Sequence, residues 1–123
     1  MSNTPKKDQR KKRGAEGESL AARFLERHGM TILQRNYRYE RGEIDIIAEE
    51  GEELVFVEVK ARRTKSYGEP EDSVTQHKQE QIQTVAEGYL LEHDIRDRAC
   101  RFDVVAIMFH NGKAEINHIR NAF

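Results

Sequence analysis

The chain has no tryptophan, one cysteine and no apolar run near the roughly 18 residues that a membrane-spanning helix needs. Each shortage removes a class of protein. A lone Cys100 excludes an intrachain disulfide and a cysteine-ligated zinc site, and it fits a reducing compartment. The polar N-terminus is not followed by an apolar core region, so no secretory signal is expected. A cytoplasmic location and no membrane partner are the resulting expectations. Aromatic residues make up only 7% and charged residues 35%, yet the apolar residues fall into periodic runs, so a folded body is expected. At 123 residues, one domain with a real core is the default.

Net charge is also nearly absent, at −1, but the balance conceals an asymmetry. Residues 1–13 hold six Lys/Arg and one Asp, giving +5; residues 14–123 hold 15 Lys/Arg and 21 Asp/Glu, giving −6. The expected division is a disordered basic arm, 1–13, and a single domain, 14–123. The body is not a basic nucleic-acid binder as a whole, so capture of a polyanion would fall to the arm or to local patches.

What is present begins with a helix over Gly14–His28, where Leu20, Ala21, Phe24 and Leu25 follow helical spacing and Gly29 supplies a stop. Glu18 borders that apolar stripe, as a first-turn acid suited to the helix dipole or as a carboxylate leaning toward the core. A strand over Met30–Tyr37 follows. Ala61–Asp72 has loop chemistry, with Arg62, Arg63 and Lys65 where a phosphate backbone would need neutralising, or simply a solvated basic loop. Tyr67 in that loop either stacks on a base or packs. Ser73 with Gln76 reads as a capping box opening a helix to Leu91. Lys78 falls on that helix's apolar line and either snorkels or reaches a site, with Gln76 and His77 near enough to share either role. A helix between two strands implies a right-handed crossover and a parallel pair. A strand over Arg101–Phe109, with Asp103 paired to Arg101, and an edge strand over Ala114–Ile119 across the Asn111-Gly112 turn complete the order.

The chain is organised around Gly42–Ala48 and Leu54–Lys60, two β-type runs joined through Glu49–Glu53 as a hairpin. Leu54, Phe56, Glu58 and Lys60 alternate with Val55, Val57 and Val59, and both faces begin apolar. A strand covered on both sides makes unpaired charge expensive, on the order of 2–7 kcal/mol even for a neutral polar group. Val57 and Val105 are expected core residues. Asp45, Glu58 and Lys60 therefore need a reason. One is a salt bridge at the end of the hairpin. The other is a site for a hard cation, Asp and Glu oxygens being what Mg²⁺ takes, with a lysine that orients water or offsets charge on a phosphate. Glu43, two residues before Asp45, is a further ligand candidate or a solvated charge.

The order α-β-β-β-α-β-β, with Glu on the first helix, Asp on the second strand and Glu-x-Lys on the third, resembles the core of the PD-(D/E)XK nuclease superfamily. More closely, the chain is similar to the small YraN-type, endonuclease-like family, near in fold to archaeal Holliday-junction resolvases. The residues that carry this are Gly14-x-x-Gly17-Glu18, Gln34-Arg35-Asn36-Tyr37, Gly42-Glu43-Ile44-Asp45, Phe56-Val57-Glu58-Val59-Lys60, Lys78, Arg101-Phe102-Asp103 and Asn121-Ala122-Phe123. The resemblance implies an α/β, restriction-endonuclease-like core, a mixed five-stranded sheet with flanking helices. It implies Asp45 and Glu58 as metal carboxylates for Mg²⁺ or Mn²⁺, the Val59 carbonyl as a further ligand, Lys60 positioning the water and Glu18 as an auxiliary group. Arg62, Arg63, Lys65, Gln76 and Lys78 are the expected nucleic-acid contacts. Two functions follow: a metal-dependent endonuclease on DNA rather than RNA, branched or structured, or a nucleic-acid-binding or protein-interaction module retaining the fold. The Asp45, Glu58 and Lys60 set favours the first; the short acidic body favours the second or demands a homodimer or a protein partner.

Overall fold

The computed structural model describes residues 6–63 and 74–123, apart from the side chains of 6–13. Two helices and five strands follow one another as α1 (Lys6–Arg27), β1 (Thr31–Tyr39), β2 (Gly42–Glu50), β3 (Glu53–Arg62), α2 (Gln76–Glu92), β4 (Cys100–His110) and β5 (Lys113–Ile119). The strands form one mixed sheet in the order β1-β2-β3-β4-β5. Only β3 and β4 run parallel, the pair that α2 connects. This is the expected α-β-β-β-α-β-β architecture.

Alternation along β3 separates two apolar layers. Val55 and Val57 meet Ala21 and Leu25 of α1, together with Ile46, Ala48, Val105 and Ile107. Leu54 and Phe56 meet Ile82, Val85, Ala86 and Tyr89 of α2, together with Tyr37, Ile44 and Ile47. Val57 and Val105 are fully buried, as expected. A sheet covered on both faces explains why β3 reads as a continuous apolar run until Glu58.

Several boundaries differ from the sequence reading. The basic segment expected as a disordered arm through Arg13 is helical from Lys6, because Lys, Arg and Gln lose little rotamer freedom in a helix and continue α1 backwards. The Ser73–Gln76 capping box is replaced. Thr75 caps α2, its hydroxyl accepting from the Lys78 N–H at 3.2 Å, while the Gln76 amide bonds Glu80; Ser73, Lys65 and Tyr67 lie outside the described residues. The loop expected over Glu49–Glu53 shrinks to Gly51-Glu52, since Glu50 and Glu53 pair across the strands. The Asn111-Gly112 turn stands, both residues taking positive φ.

At one end of the sheet, acids of the β2–β3 turn are bound by arginines from the far side. Arg101 is buried and bonds Asp103 at 3.1 Å, Glu50 at 2.7 Å and Glu53 at 2.6 Å. Asp103, fully buried, also accepts from the Asn121 N–H at 3.0 Å and lies 2.8 Å from His118 Nε2. The expected Arg101–Asp103 pair is thus the centre of a larger network. These partners hold the Asp103 carboxyl below its ordinary range against the effect of burial, and Arg120 with Arg101 brings Glu50 down to about 2.

At the other end, α1 approaches β3 so closely that a Cβ on Gly17 would stand 2.8 Å from the Ala61 Cβ. Only glycine allows that approach, and Glu18 is the next residue.

Gly17→Ala should therefore lower stability by about 1–3 kcal/mol as α1 is pushed from the sheet, read by denaturant unfolding; an unchanged midpoint would mean the helix yields freely. Arg101→Ala should cost about 3–5 kcal/mol by leaving Asp103 buried without its cation. Because Glu50 and Asp103 have depressed folded pKa values, their contribution is present above the ordinary carboxylate range. It should drain as pH falls from about 4.5 toward 2. Acid titration of thermal stability in the wild type and in Arg101→Ala checks both statements, the variant losing the steeper limb.

Candidate metal and catalytic site

The β2–β3 ladder runs from Glu50↔Glu53 to Ile46↔Val57 and goes no further toward the start of β2. Beyond it the Val59 N–H needs an acceptor, because a buried unpaired backbone donor is costly. The Asp45 side chain supplies one: its Oδ2 accepts from the Val59 N–H at 2.8 Å. Asp45 is thereby fixed over β3 beside the neighbour of Val59, Glu58, close enough for the charge of Glu58 to act on it. The structure brings together the two acids that the sequence placed on neighbouring strands.

The electrostatics of the pair follow from its burial. Desolvation, then the charge of Glu58, push the Asp45 carboxyl up to about 8, the Val59 hydrogen bond opposing them; Glu18 and Glu43 add to the rise. Desolvation also raises Glu58, against the pull of Lys78 and Lys60. The Lys78 ammonium stands 3.7 Å from Glu58 Oε2. This lysine, expected as a nucleic-acid contact, therefore comes off α2 onto the site carboxylate. Lys60 follows Glu58 on the same strand face.

The remaining sequence-predicted residues divide. Glu18 is 3.6 Å from Arg35, its side chain 18% exposed, so it is near the pair but engaged by β1. Glu43 stands 4.0 Å from Arg38 at the surface, which is the solvated reading of that residue. Arg62 lies on the Glu58–Lys60 face and Arg63 is exposed just after it. Gln76 is exposed in the first turn of α2 and bonds Glu80.

Sequence reasoning missed three features: the Val59 N–H as the group that anchors Asp45, Arg35 as the partner of Glu18, and a backbone irregularity at Asn36, which has φ +54 inside β1. Only the last left a signal, an asparagine in a β-type run.

Among the described residues, no group of three or more His, Cys, Asp or Glu side chains is placed to hold a metal ion by itself. Two crowded carboxylates and the Val59 carbonyl are hard oxygen donors, and Mg²⁺ commonly takes only one or two carboxylates, with water and substrate phosphate completing its shell. The donor set therefore fits Mg²⁺ or Mn²⁺. A cation held by these acids would also offset the Glu58 charge that, after desolvation, raises Asp45. Among the described residues, no helix is long and apolar enough to cross a membrane.

Comparison with known proteins finds a wide group of relatives of this chain. The family described as "Uncharacterised protein family UPF0102" matches residues 17–107, a stretch that contains Glu18, Asn36, Asp45, Glu58, Lys60 and Lys78. A UPF0102 protein of Geobacter metallireducens is 48% identical, over 89% of this chain and 90% of its own length. One from Rhodococcus opacus is 50% identical over 89% and 94%, and one from Pelobacter propionicus is 46% identical over 99% and 89%. The chain belongs to the uncharacterised protein family UPF0102.

Proposed function

We propose that the chain is a metal-dependent endonuclease of the PD-(D/E)XK type, hydrolysing phosphodiester bonds of DNA, branched or structured. The observation that carries this reading is Asp45 held by the Val59 N–H beside Glu58, with Lys60 two residues after Glu58 on the same strand face. Fold stability alone does not favour burying two like acids where a hydrophobic pair would serve.

Asp45 and Glu58 would hold Mg²⁺ or Mn²⁺, with the Val59 carbonyl as a further donor and Glu18 as an auxiliary group that must first leave Arg35. Bound there, the ion would supply Lewis acidity toward the phosphate and a more acidic water. The Val59 N–H keeps Asp45 in one orientation, and Lys78 opposes the effect of burial on Glu58 and draws it toward α2. The Lys60 ammonium would orient the attacking water and meet the charge that develops on the phosphate oxygens. Arg62 and Arg63, with Lys65, would neutralise the backbone on either side of the scissile bond. A binding module without turnover is the second reading, and one observation favours it: no third acid joins the pair among the described residues.

Cleavage assays with Mg²⁺ or Mn²⁺ on duplex, flap, junction and single-stranded DNA and on RNA separate the two. Metal-stimulated cutting of at least one DNA is expected; binding without cutting on every substrate would favour the module. Lys60→Ala should abolish cleavage while DNA affinity stays near wild type, since its interaction is made mainly in the transition state. A Lys60→Ala protein that cuts normally would remove that lysine from the mechanism. Neutralising Arg62, Arg63 and Lys65 together should instead weaken binding to every sequence. The salt dependence should flatten by about 0.9 for each phosphate no longer neutralised.

Asp45→Asn keeps the acceptor for Val59 and removes the charge conflict. It should stabilise the metal-free protein at pH 8 by about 1–2 kcal/mol while abolishing Mg²⁺-dependent cleavage. Loss of stability on that substitution would show that the charge of Asp45 is structural.

A further inference from the structure

We propose that Asn36 is a positioning residue whose left-handed backbone carries β1 and β2 together from one face of the sheet to the other and so sets Asp45 against Val59. The inference rests on the reading of Asp45 as a site carboxylate. Alternate residues of a regular strand share a face. In β1, however, Arg35 reaches Glu18 of α1, whereas Tyr37 is buried in the layer under α2. The same switch occurs opposite in β2, where Ile46 packs in the α1 layer and Ile44 in the α2 layer.

The register locates the switch. Arg35 pairs with Ile46 and Tyr37 with Ile44, which leaves Asn36 facing Asp45 across the two strands. Asn36 has φ +54, and among the described residues it is the only non-glycine with positive φ that lies inside a strand; Glu40, Asp94, Asp97, Asn111 and Asn121 all sit in turns or loops. Its side chain is exposed, so packing does not select the residue type. Conformation does: asparagine enters the left-handed region readily, glycine more so, and β-branched residues hardly at all.

The consequence reaches the site through pairing. With both strands regular, Ile44 and Ile46 would share one face and Asp45 would point away from both. With the switch, β2 leaves its ladder with β3 after Ile46, and the Asp45 carboxylate takes the Val59 N–H in place of a backbone carbonyl.

The test compares Asn36→Gly and Asn36→Val by amide exchange and amide proton shift of Val59 in the metal-free protein, with Asp45→Ala as the reference for a broken bond. Mn²⁺ affinity by calorimetry is the second readout. Asn36→Gly should leave Val59 protection within about twofold of wild type. Asn36→Val should speed exchange at Val59 toward the Asp45→Ala value while the amides of Val55 and Val105 stay protected, and should weaken Mn²⁺ binding by about 10–100-fold. Should Asn36→Val fail to fold, Asn36→Ala against Asn36→Asp poses the same contrast. The proposal is overturned if the valine or alanine variant keeps Val59 protected at its wild-type shift. It is equally overturned if Asn36→Gly behaves like Asn36→Val, which would make the side-chain amide the active feature. Wild-type protein that takes up no Mn²⁺ would sink the endonuclease reading, while Val59 exchange would still decide the role of Asn36.

Discussion

One hydrogen bond, from the Val59 N–H to the Asp45 carboxylate, is the constraint around which the candidate site is arranged. A sheet satisfies its backbone by pairing strands, and where two strands part the exposed donors must find other acceptors. Here β2 parts from β3 in the covered middle of the sheet, not at a free edge, so water cannot serve freely. A side chain takes the place of a strand, and the side chain at the fork is an acid. The fork therefore carries charge into the protein, and α1 and α2 close on it from either face through Gly17–Glu18 and Lys78.

The same sheet contains its own control. Asp103 is fully buried and Asp45 half-buried, and desolvation raises both. Asp103 nevertheless stays below the ordinary carboxylate range because Arg101, His118 and the Asn121 N–H all face it. Asp45 moves the opposite way because desolvation raises it, a second carboxyl adds to the rise, and the Val59 N–H opposes them. Burial raises both acids, and only at Asp103 do the neighbours reverse it. One acid is finished as a structural element. The other keeps its pKa raised beside a second acid, and the proposed cation site rests on that contrast.

Much of this was legible in the residues. Alternation fixed both layers of β3, the apolar runs located all five strands, and charge interrupting those runs singled out Asp45, Glu58 and Lys60. The misses have a common cause. Periodicity assumes that a strand keeps one phase, and Asn36–Asp45 is where two strands change theirs together. Nothing in the apolar pattern marks a phase change, since Ile44, Ile46 and Ile47 are all buried on one face or the other. For Lys78 the sequence left two readings, snorkelling or reaching the site, and the structure shows the second, 3.7 Å from Glu58. Helical spacing put it on the inner line of α2, but only the tertiary crossing decides whether a carboxylate or a phosphate stands opposite. The early start of α1 and the Thr75 cap are local matters in which helix-forming side chains and a nearer hydroxyl outcompeted the expected boundary.

The acidic body, which argues against a nucleic-acid function when charge is summed, argues less once the charges are placed. Glu49, Glu50 and Glu53 gather at the β2–β3 turn and are bound there by Arg98, Arg101 and Arg120. Arg62 and Arg63 stand at and just beyond the opposite end of β3, next to Glu58 and Lys60. β3 spans Glu53–Arg62, 10 residues, or roughly 30 Å at about 3.3 Å per residue. The screening length at physiological salt is about 8 Å. A phosphate at the Lys60 end would thus be several screening lengths from the paired acids at the turn, and its energy would be set by the nearby cations and the unfinished carboxylate pair. Net charge describes the whole chain's solubility and long-range approach. It says little about which end of one strand a polyanion prefers.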